Sequence, residues 1–322
     1  MNQQVPGGEK KIPLQKNGFF QTKNQPLVLG HRGVPKVHQE NTVAGFRKAM
    51  ELGVEGVEFD VFKTKDDKVI VFHDQTTERL TGVKGDIEEM TWDEVSKLRI
   101  SRQIDMGDGR MVTYASEEKI PLLEEVLDEF NGKLLMNVEL KTYGLKWSRR
   151  KTGKETAKTI RKTGTENSVI VTSFDLFKLH SLEKEYPGLH SGFAYDDGMI
   201  GDIGTWFTKI PEISSELSKA PGNQNDITFL NFLCESNVIG KLLGSTVVGA
   251  EYTLLDSDTV AKFHQKEMLV GSYTLFPLDT RFVKNIDSEE SQNQILRQLV
   301  NLKVDWIETD DPEKAKNILD KN

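Results

Sequence analysis

From Leu27 onward the chain alternates short apolar runs with amphipathic helical patterns. The runs at 27–31, 56–62, 68–72, 133–140, 168–173, 190–194, 246–251, 268–275 and 304–308 are rich in Val, Ile, Leu and Phe. Gly, Pro or polar turns bound them, which is the pattern of buried strands. Between them, 42–52, 121–130, 154–163, 175–185, 256–266, 289–301 and 312–320 carry helical patterns. In the first of these, Val43, Phe46, Met50 and Leu52 line up near one apolar stripe. Asp175 and Asp256 stand where N-caps are expected, and Asp311-Pro312 puts proline at the first helical position. Alternation sustained this long predicts a parallel sheet. With 68–72 taken as a hairpin partner of 56–62, about eight strand–helix units remain, the content of a (β/α)8 barrel.

Two stretches break the rhythm, and both are too long for ordinary loops. Residues 75–119 read as a small subdomain inserted over the barrel mouth after the second strand region. Residues 196–245, with Gly198, Gly201, Gly204, Pro211 and Pro221-Gly222, are expected to hold one irregular barrel helix. Residues 1–26 read as an N-terminal extension packed across one end of the fold, leaving 27–322 as the barrel domain.

Composition narrows the functional classes. Hydrophobic residues are 37% and charged residues 29% of the 322 positions, as in soluble globular proteins. A formal charge of −8 argues against an extended nucleic-acid footprint. Cys234 is the single cysteine, so no intrachain disulfide can form, which fits a reducing compartment. The polar N-terminus has no signal-peptide core, and no run reaches the ~20 apolar residues of a membrane span. A cytoplasmic location is expected, with a secreted or periplasmic one left open should a leader be missing. The stretch Lys141–Lys162 holds nine Lys or Arg against one acid, Glu155. It reads as a solvated face, the alternative being weak attraction to anionic phosphates or a membrane surface. The oligomeric state is not legible.

The candidate chemistry sits at strand ends. In Gly56-Val-Glu-Phe-Asp-Val-Phe62, alternation puts Glu58 and Asp60 on one face and Val57, Phe59 and Val61 on the other. Two carboxylates aimed into a barrel repel each other and lose solvation, so they call for a shared proton or a cation. A hard divalent ion, Mg²⁺ or Ca²⁺, is the natural solution, the alternative being an exposed face with ordinary salt bridges. Glu139 and Lys141 repeat the spacing after Leu134–Val138, giving a third acid and a point charge for a phosphate oxygen, or a strand-end salt bridge. His31 and His73 end apolar runs; a free imidazole can take or give a proton near neutrality, as an acid–base catalyst must, the alternative for either one alone being a structural role. Arg32 adds a planar fork suited to phosphate. His38, His180, His190 and His264 lack such company and read as structural or solvated.

Gly30-His31-Arg32-Gly33, Glu40-Asn41-Thr42, Glu58-x-Asp60, His73-Asp74, Ile120-Pro121-x-Leu123-Glu124-Glu125-Val126-Leu127 and Glu139-Leu140-Lys141 together resemble the glycerophosphodiester phosphodiesterase family. The likeness runs from about Leu27 to Ile318 and is faint over 195–250. It implies a TIM barrel with an insertion after the strand bearing the second histidine. It also implies a divalent metal on Glu58, Asp60 and Glu139, acid–base catalysis by His31 and His73, and phosphate binding by Arg32 and Lys141. Gln39 stands where the family usually has proline, and Gly271-Ser272-Tyr273-Thr274-Leu275 stands where it often has Trp-Thr-Val-Asn, so Tyr273 is expected to line the pocket. The ending Thr309-Asp310-Asp311-Pro312 is kept.

The implied reaction is hydrolysis of glycerophosphodiesters to sn-glycerol 3-phosphate and an alcohol. His31 would take the proton of the attacking hydroxyl, and His73 would protonate the leaving alcohol. Attack by the glycerol 2-hydroxyl through a cyclic phosphate, or by water directly, both fit. Two other readings compete: a lysophospholipase D or sphingomyelinase D-like enzyme on lipid substrates, and a non-catalytic binding protein on a barrel scaffold.

Overall fold

The computed structural model describes residues 11–106, 109–141, 151–196, 244–278 and 288–321. The strands of its main sheet are β1 (Leu27–His31), β2 (Gly56–Lys63), β3 (Val69–Val71), β4 (Leu135–Leu140), β5 (Val169–Ser173), β6 (Ser191–Tyr195), β7 (Val247–Glu251), β8 (Leu269–Leu275) and β9 (Trp306–Thr309). β2, β4, β5, β6, β7, β8 and β9 follow one another in parallel, and β1 pairs with both β2 and β9. The ring is therefore closed with eight strands. β3 is the exception: it runs antiparallel to β2, outside the ring, as the predicted hairpin partner.

The helices of eight or more described residues are α1 (Val43–Glu51), α2 (Leu123–Phe130), α3 (Lys151–Thr163), α4 (Leu176–Glu185), α5 (Ser257–His264), α6 (Glu289–Leu302) and α7 (Pro312–Leu319). Their starts follow local chemistry. Asp175 accepts hydrogen bonds from the Phe177 and Lys178 amides, Asp256 from Thr259, and Asp311 from Lys314 just ahead of Pro312. α1 corrects one expectation. Its buried face is Gly45, Phe46 and Ala49, whereas Met50 is 40% exposed. Met50 lies about 100° round the helix from Ala49, just past the edge of the stripe.

Strand alternation sorts the side chains into two populations. Val57, Phe59, Val61, Met136, Val138, Val171, Val248, Val270 and Ile307 point outward and join the helices in the main core. Leu27, Leu29, Ile170, Val247 and Trp306 point inward and fill the amino-terminal end of the barrel together with Phe19. A Cβ on Gly271 would lie 1.8 Å from the Trp306 ring, so the indole fits because position 271 has no side chain. The N-terminal segment closes this end. Asn17 Nδ2 donates to the Glu166 and Val169 carbonyls at 2.9 and 2.8 Å. Lys11 Nζ donates to both Glu183 oxygens at 2.8 and 2.7 Å.

The stretch between β3 and α2 builds a second small core of Leu80, Ile87, Val95, Ile100, Ile104, Met106, Tyr114 and Ile120, packed on Phe62, Ile70 and Phe72 of the β2–β3 hairpin. It is tied to the loop after β1. Gln39 Nε2 donates to the Ser101 and Ser116 carbonyls at 3.2 and 2.6 Å, and the Tyr114 hydroxyl to the Pro35 carbonyl at 2.7 Å. Gln39, standing in for the family's proline, therefore works as a tether. The basic face of α3 meets acids from its neighbours: Lys162 pairs with Glu124, Lys154 with Glu185 and Lys151 with Asp67. Cys234, the helix expected within 196–245 and residues 142–150 of the basic stretch lie outside the described residues. Among the described residues no helix is long and apolar enough to cross a membrane.

Candidate functional site

The carboxyl-terminal ends of β1, β2 and β4 build one rim. β1 ends in a tight turn in which the Gly33 amide donates to the Gly30 carbonyl at 3.0 Å. Arg32 takes φ +58° and Gly33 φ +94°, which swings the Arg32 side chain back across the strand ends. The parallel register sets His31 beside Glu58 and Asp60 beside Glu139. All four are inward positions, so the predicted acids converge in the mouth.

One oxygen from each of Glu58, Asp60 and Glu139 lies within 4.8 Å of the others. Glu58 and Asp60 are fully buried, and Glu58 Oε1 and Asp60 Oδ1 accept no hydrogen bond among the described residues. Burial, together with the charges of Asp60, Glu308 and Glu139, pushes the Glu58 carboxyl well above the usual carboxylate range. Asp60 is held far below it: burial opposes ionisation, but Lys141, His73 and Arg32 outweigh it. Lys141 Nζ sits 2.9 Å from Glu139 Oε1 and 3.3 Å from Asp60 Oδ1. Arg32 Nε lies 3.3 Å from Asp60 Oδ2. Crowded buried acids with open lone pairs are a donor set that fits a hard divalent cation.

Glu40-Asn41-Thr42 holds this rim in place. Glu40 accepts from Arg32 Nη1 at 3.1 Å. Asn41, at φ +59°, donates to Asp60 Oδ2 at 2.8 Å and accepts from the Asp60 amide at 3.1 Å. Thr42 caps α1 by accepting from the Gly45 amide at 3.1 Å.

The two histidines are each fixed through Nδ1. His31 Nδ1 donates to Asp310 Oδ1 at 2.6 Å, and His73 Nδ1 to Asp74 Oδ1 at 2.7 Å. Both rings thus keep the Nε2 lone pair for chemistry in the neutral form. His31 Nε2 lies 3.8 Å from Glu58 Oε2. Burial, with Arg32 and Lys141 nearby, lowers His73 to about 4. A bound phosphate monoanion would face those same cations and favour the imidazolium.

Asp310, Glu308 and Arg79 join the site without a role that sequence pattern signals. Asp310 orients His31 and is itself pinned by the Leu278 amide at 2.6 Å. Its motif was visible, but its partner is 279 residues away. Glu308, one inward position below, accepts from Asn137 Nδ2 at 2.7 Å and Trp306 Nε1 at 2.8 Å, and burial raises it to about 7. Arg79, from the inserted segment, forks onto both Glu40 and Asp74. It thereby occupies the second acid–histidine group, Glu40, His73 and Asp74. No linear spacing signals it. Tyr273 lies across the mouth, its hydroxyl donating to the Tyr195 carbonyl at 2.6 Å and its ring edge-on to Phe174 at 5.9 Å. His190 and His264 stand elsewhere, bonded to Thr246 and Asp305.

Comparison with known proteins agrees with this geometry. Residues 31–314 match the glycerophosphoryl diester phosphodiesterase family. A glycerophosphodiester phosphodiesterase of Caldanaerobacter subterraneus is 35% identical over 175 residues, 54% of this chain and 68% of that protein. Further curated relatives are matched over 58% and 44% of their own length. In fold, the chain resembles a Silicibacter pomeroyi protein assigned as a glycerophosphoryl diester phosphodiesterase. The TM-score is 0.69 at 22% identity, over 92% of this chain and 94% of that one. It also resembles an Oleispira antarctica phosphodiesterase solved with the product sn-glycerol-3-phosphate, with a TM-score of 0.60 at 19% identity over 92% and 97%. At such identities the structures speak for the barrel alone. The match over most of the chain makes the stronger statement: this protein belongs to the glycerophosphoryl diester phosphodiesterase family and is an enzyme of the phosphodiesterase class.

Proposed function

We propose that this chain hydrolyses glycerophosphodiesters to sn-glycerol 3-phosphate and an alcohol, with its reacting groups at the β1–β2–β4 rim. The observation that carries the reading is the convergence of His31, Arg32, Glu58, Asp60, Glu139 and Lys141 in one mouth, with each proposed catalytic imidazole held by a carboxylate through Nδ1. Glu58, Asp60 and Glu139 would hold one divalent cation, Mg²⁺ or Ca²⁺. When bound, such an ion supplies charge neutralisation at the phosphate and lowers the pKa of a coordinated hydroxyl.

The chain's own residues do the rest. Arg32 and Lys141 bind the phosphate oxygens, the guanidinium as a fork and the ammonium as a point charge. His31 Nε2 takes the proton of the attacking hydroxyl as its oxygen bonds to phosphorus, and Asp310 stabilises the imidazolium that forms. Water as the attacker gives sn-glycerol 3-phosphate directly, whereas attack by the glycerol 2-hydroxyl gives a cyclic phosphate that water then opens to it. His73 gives its proton to the leaving alcohol oxygen as the P–O bond to that oxygen breaks. Tyr273 and Phe174 form a wall on the far side of the mouth, where they would meet the head group. The purified chain, supplied with divalent metal and glycerophosphocholine, should release glycerol 3-phosphate, read by a coupled dehydrogenase. Turnover of lysophosphatidylcholine with none of glycerophosphocholine would replace this reading with the lipid one.

A further inference from the structure

We infer that Arg79 is a positioning residue that fixes Arg32 and His73 relative to each other, and so couples the inserted segment to the chemistry. The inference rests on the roles proposed above for those two residues. Arg79 sits on the short helix Glu78–Thr81 of the insertion. Its Nε and Nη2 donate to Asp74 at 2.5 and 2.9 Å, and its Nη1 and Nη2 donate to Glu40 at 2.9 and 2.8 Å. Both acceptors are already holding reacting groups. Glu40 Oε1 takes Arg79 Nη2 and also Arg32 Nη1, while Asp74 Oδ1 takes Arg79 Nη2 and also His73 Nδ1. One nitrogen therefore links the carboxylate behind the phosphate fork to the carboxylate behind the imidazole.

The four hydrogen bonds to the two carboxylates need the planar fork of a guanidinium; an ammonium offers three donors without it. Glu40 and Asp74 are both held below the usual carboxylate range, with burial opposing and Arg79 among the causes that overcome it. Arg79 is not needed simply to staple the insertion down. The segment has its own apolar core on Phe62, Ile70 and Phe72, and separate tethers through Gln39 and Tyr114. What Arg79 adds is orientation: with it, Asp74 holds the His73 Nδ1–H and so aims the Nε2–H of the imidazolium into the mouth.

The test uses leaving-group dependence, which a staple would not alter. A choline leaving group needs its oxygen protonated, whereas p-nitrophenolate leaves without help. Arg79→Lys should slow glycerophosphocholine turnover by about 10²-fold and the glycerol p-nitrophenyl phosphodiester by less than about tenfold. KM should rise for both substrates as Arg32 loosens. Gln39→Ala, which cuts a different tether of the same segment, should show no such discrimination. The double variant Arg79→Lys with Asp74→Asn should be no worse than the worse single change, because the two act through one link. Arg79→Gln serves if the lysine variant does not fold. His73→Ala is the reference and should discriminate at least as strongly. If it does while Arg79→Lys slows both substrates alike or neither, the Arg79 inference is overturned and the acid role of His73 stands. If His73→Ala itself fails to discriminate, the acid role falls and the inference falls with it.

Discussion

The two ends of this barrel bury carboxylates in opposite ways. At the amino-terminal end Glu183 is met by Lys11 on both oxygens and by the Ser191 hydroxyl. At the carboxyl-terminal end Glu58 lies among Asp60, Glu139 and Glu308, with one oxygen accepting no hydrogen bond among the described residues. Burial raises both carboxyls, Glu183 to about 7 and Glu58 well above its usual range. The difference lies in what completes them. The lower acid is closed by the chain's own N-terminal segment, so it anchors structure. In the upper set Glu58 is raised by three neighbouring acids, an arrangement that would suit a cation that arrives. A buried acid alone does not mark a function; an incompletely answered one does.

The largest way to break that contrast is at the upper end. His31→Ala should lower kcat by at least about 10²-fold, measured by glycerol 3-phosphate release, with the melting temperature near that of the parent. At the lower end the pattern should invert. Lys11→Met leaves Glu183 buried without its cation, a change of the kind that costs about 3–5 kcal/mol, with kcat per folded molecule unchanged. The pH dependence gives the sign. The folded Glu183 pKa is raised above the unfolded value, so its contribution is fully present below the unfolded pKa and is lost as pH rises through the folded one. The melting temperature of Lys11→Met should therefore fall further below the parent's as pH rises from about 5 to about 8. The smallest effect is expected across the mouth. Tyr273→Phe removes one hydroxyl donor to the Tyr195 carbonyl and keeps the ring against Phe174, so kcat/KM should change by no more than about fivefold.

Much of the barrel was legible because its strands bury both faces and its helices announce their caps, as Asp175, Asp256 and Asp311-Pro312 do. The acids were legible because spacing by two residues puts Glu58 and Asp60, and then Glu139, on inward faces. The orienting residues were harder. Asp310 meets His31 only because β9 closes the ring onto β1, and no local pattern reports ring closure. Arg79 reaches Glu40 and Asp74 from a segment whose course over the mouth is set by its own small core. Met50 misled because a stripe read in three-to-four-residue steps does not say where its edge falls.

Glu58, Asp60 and Glu139 would form a site that a divalent cation completes, and calorimetric titration of the chelator-treated protein with Mg²⁺ and Ca²⁺ is the sharpest check of it. One ion should bind per chain, with affinity reduced at least about tenfold in Glu58→Gln and hydrolysis returning in step with occupancy. Undiminished hydrolysis by the metal-free protein, or equal affinity in Glu58→Gln, would contradict it.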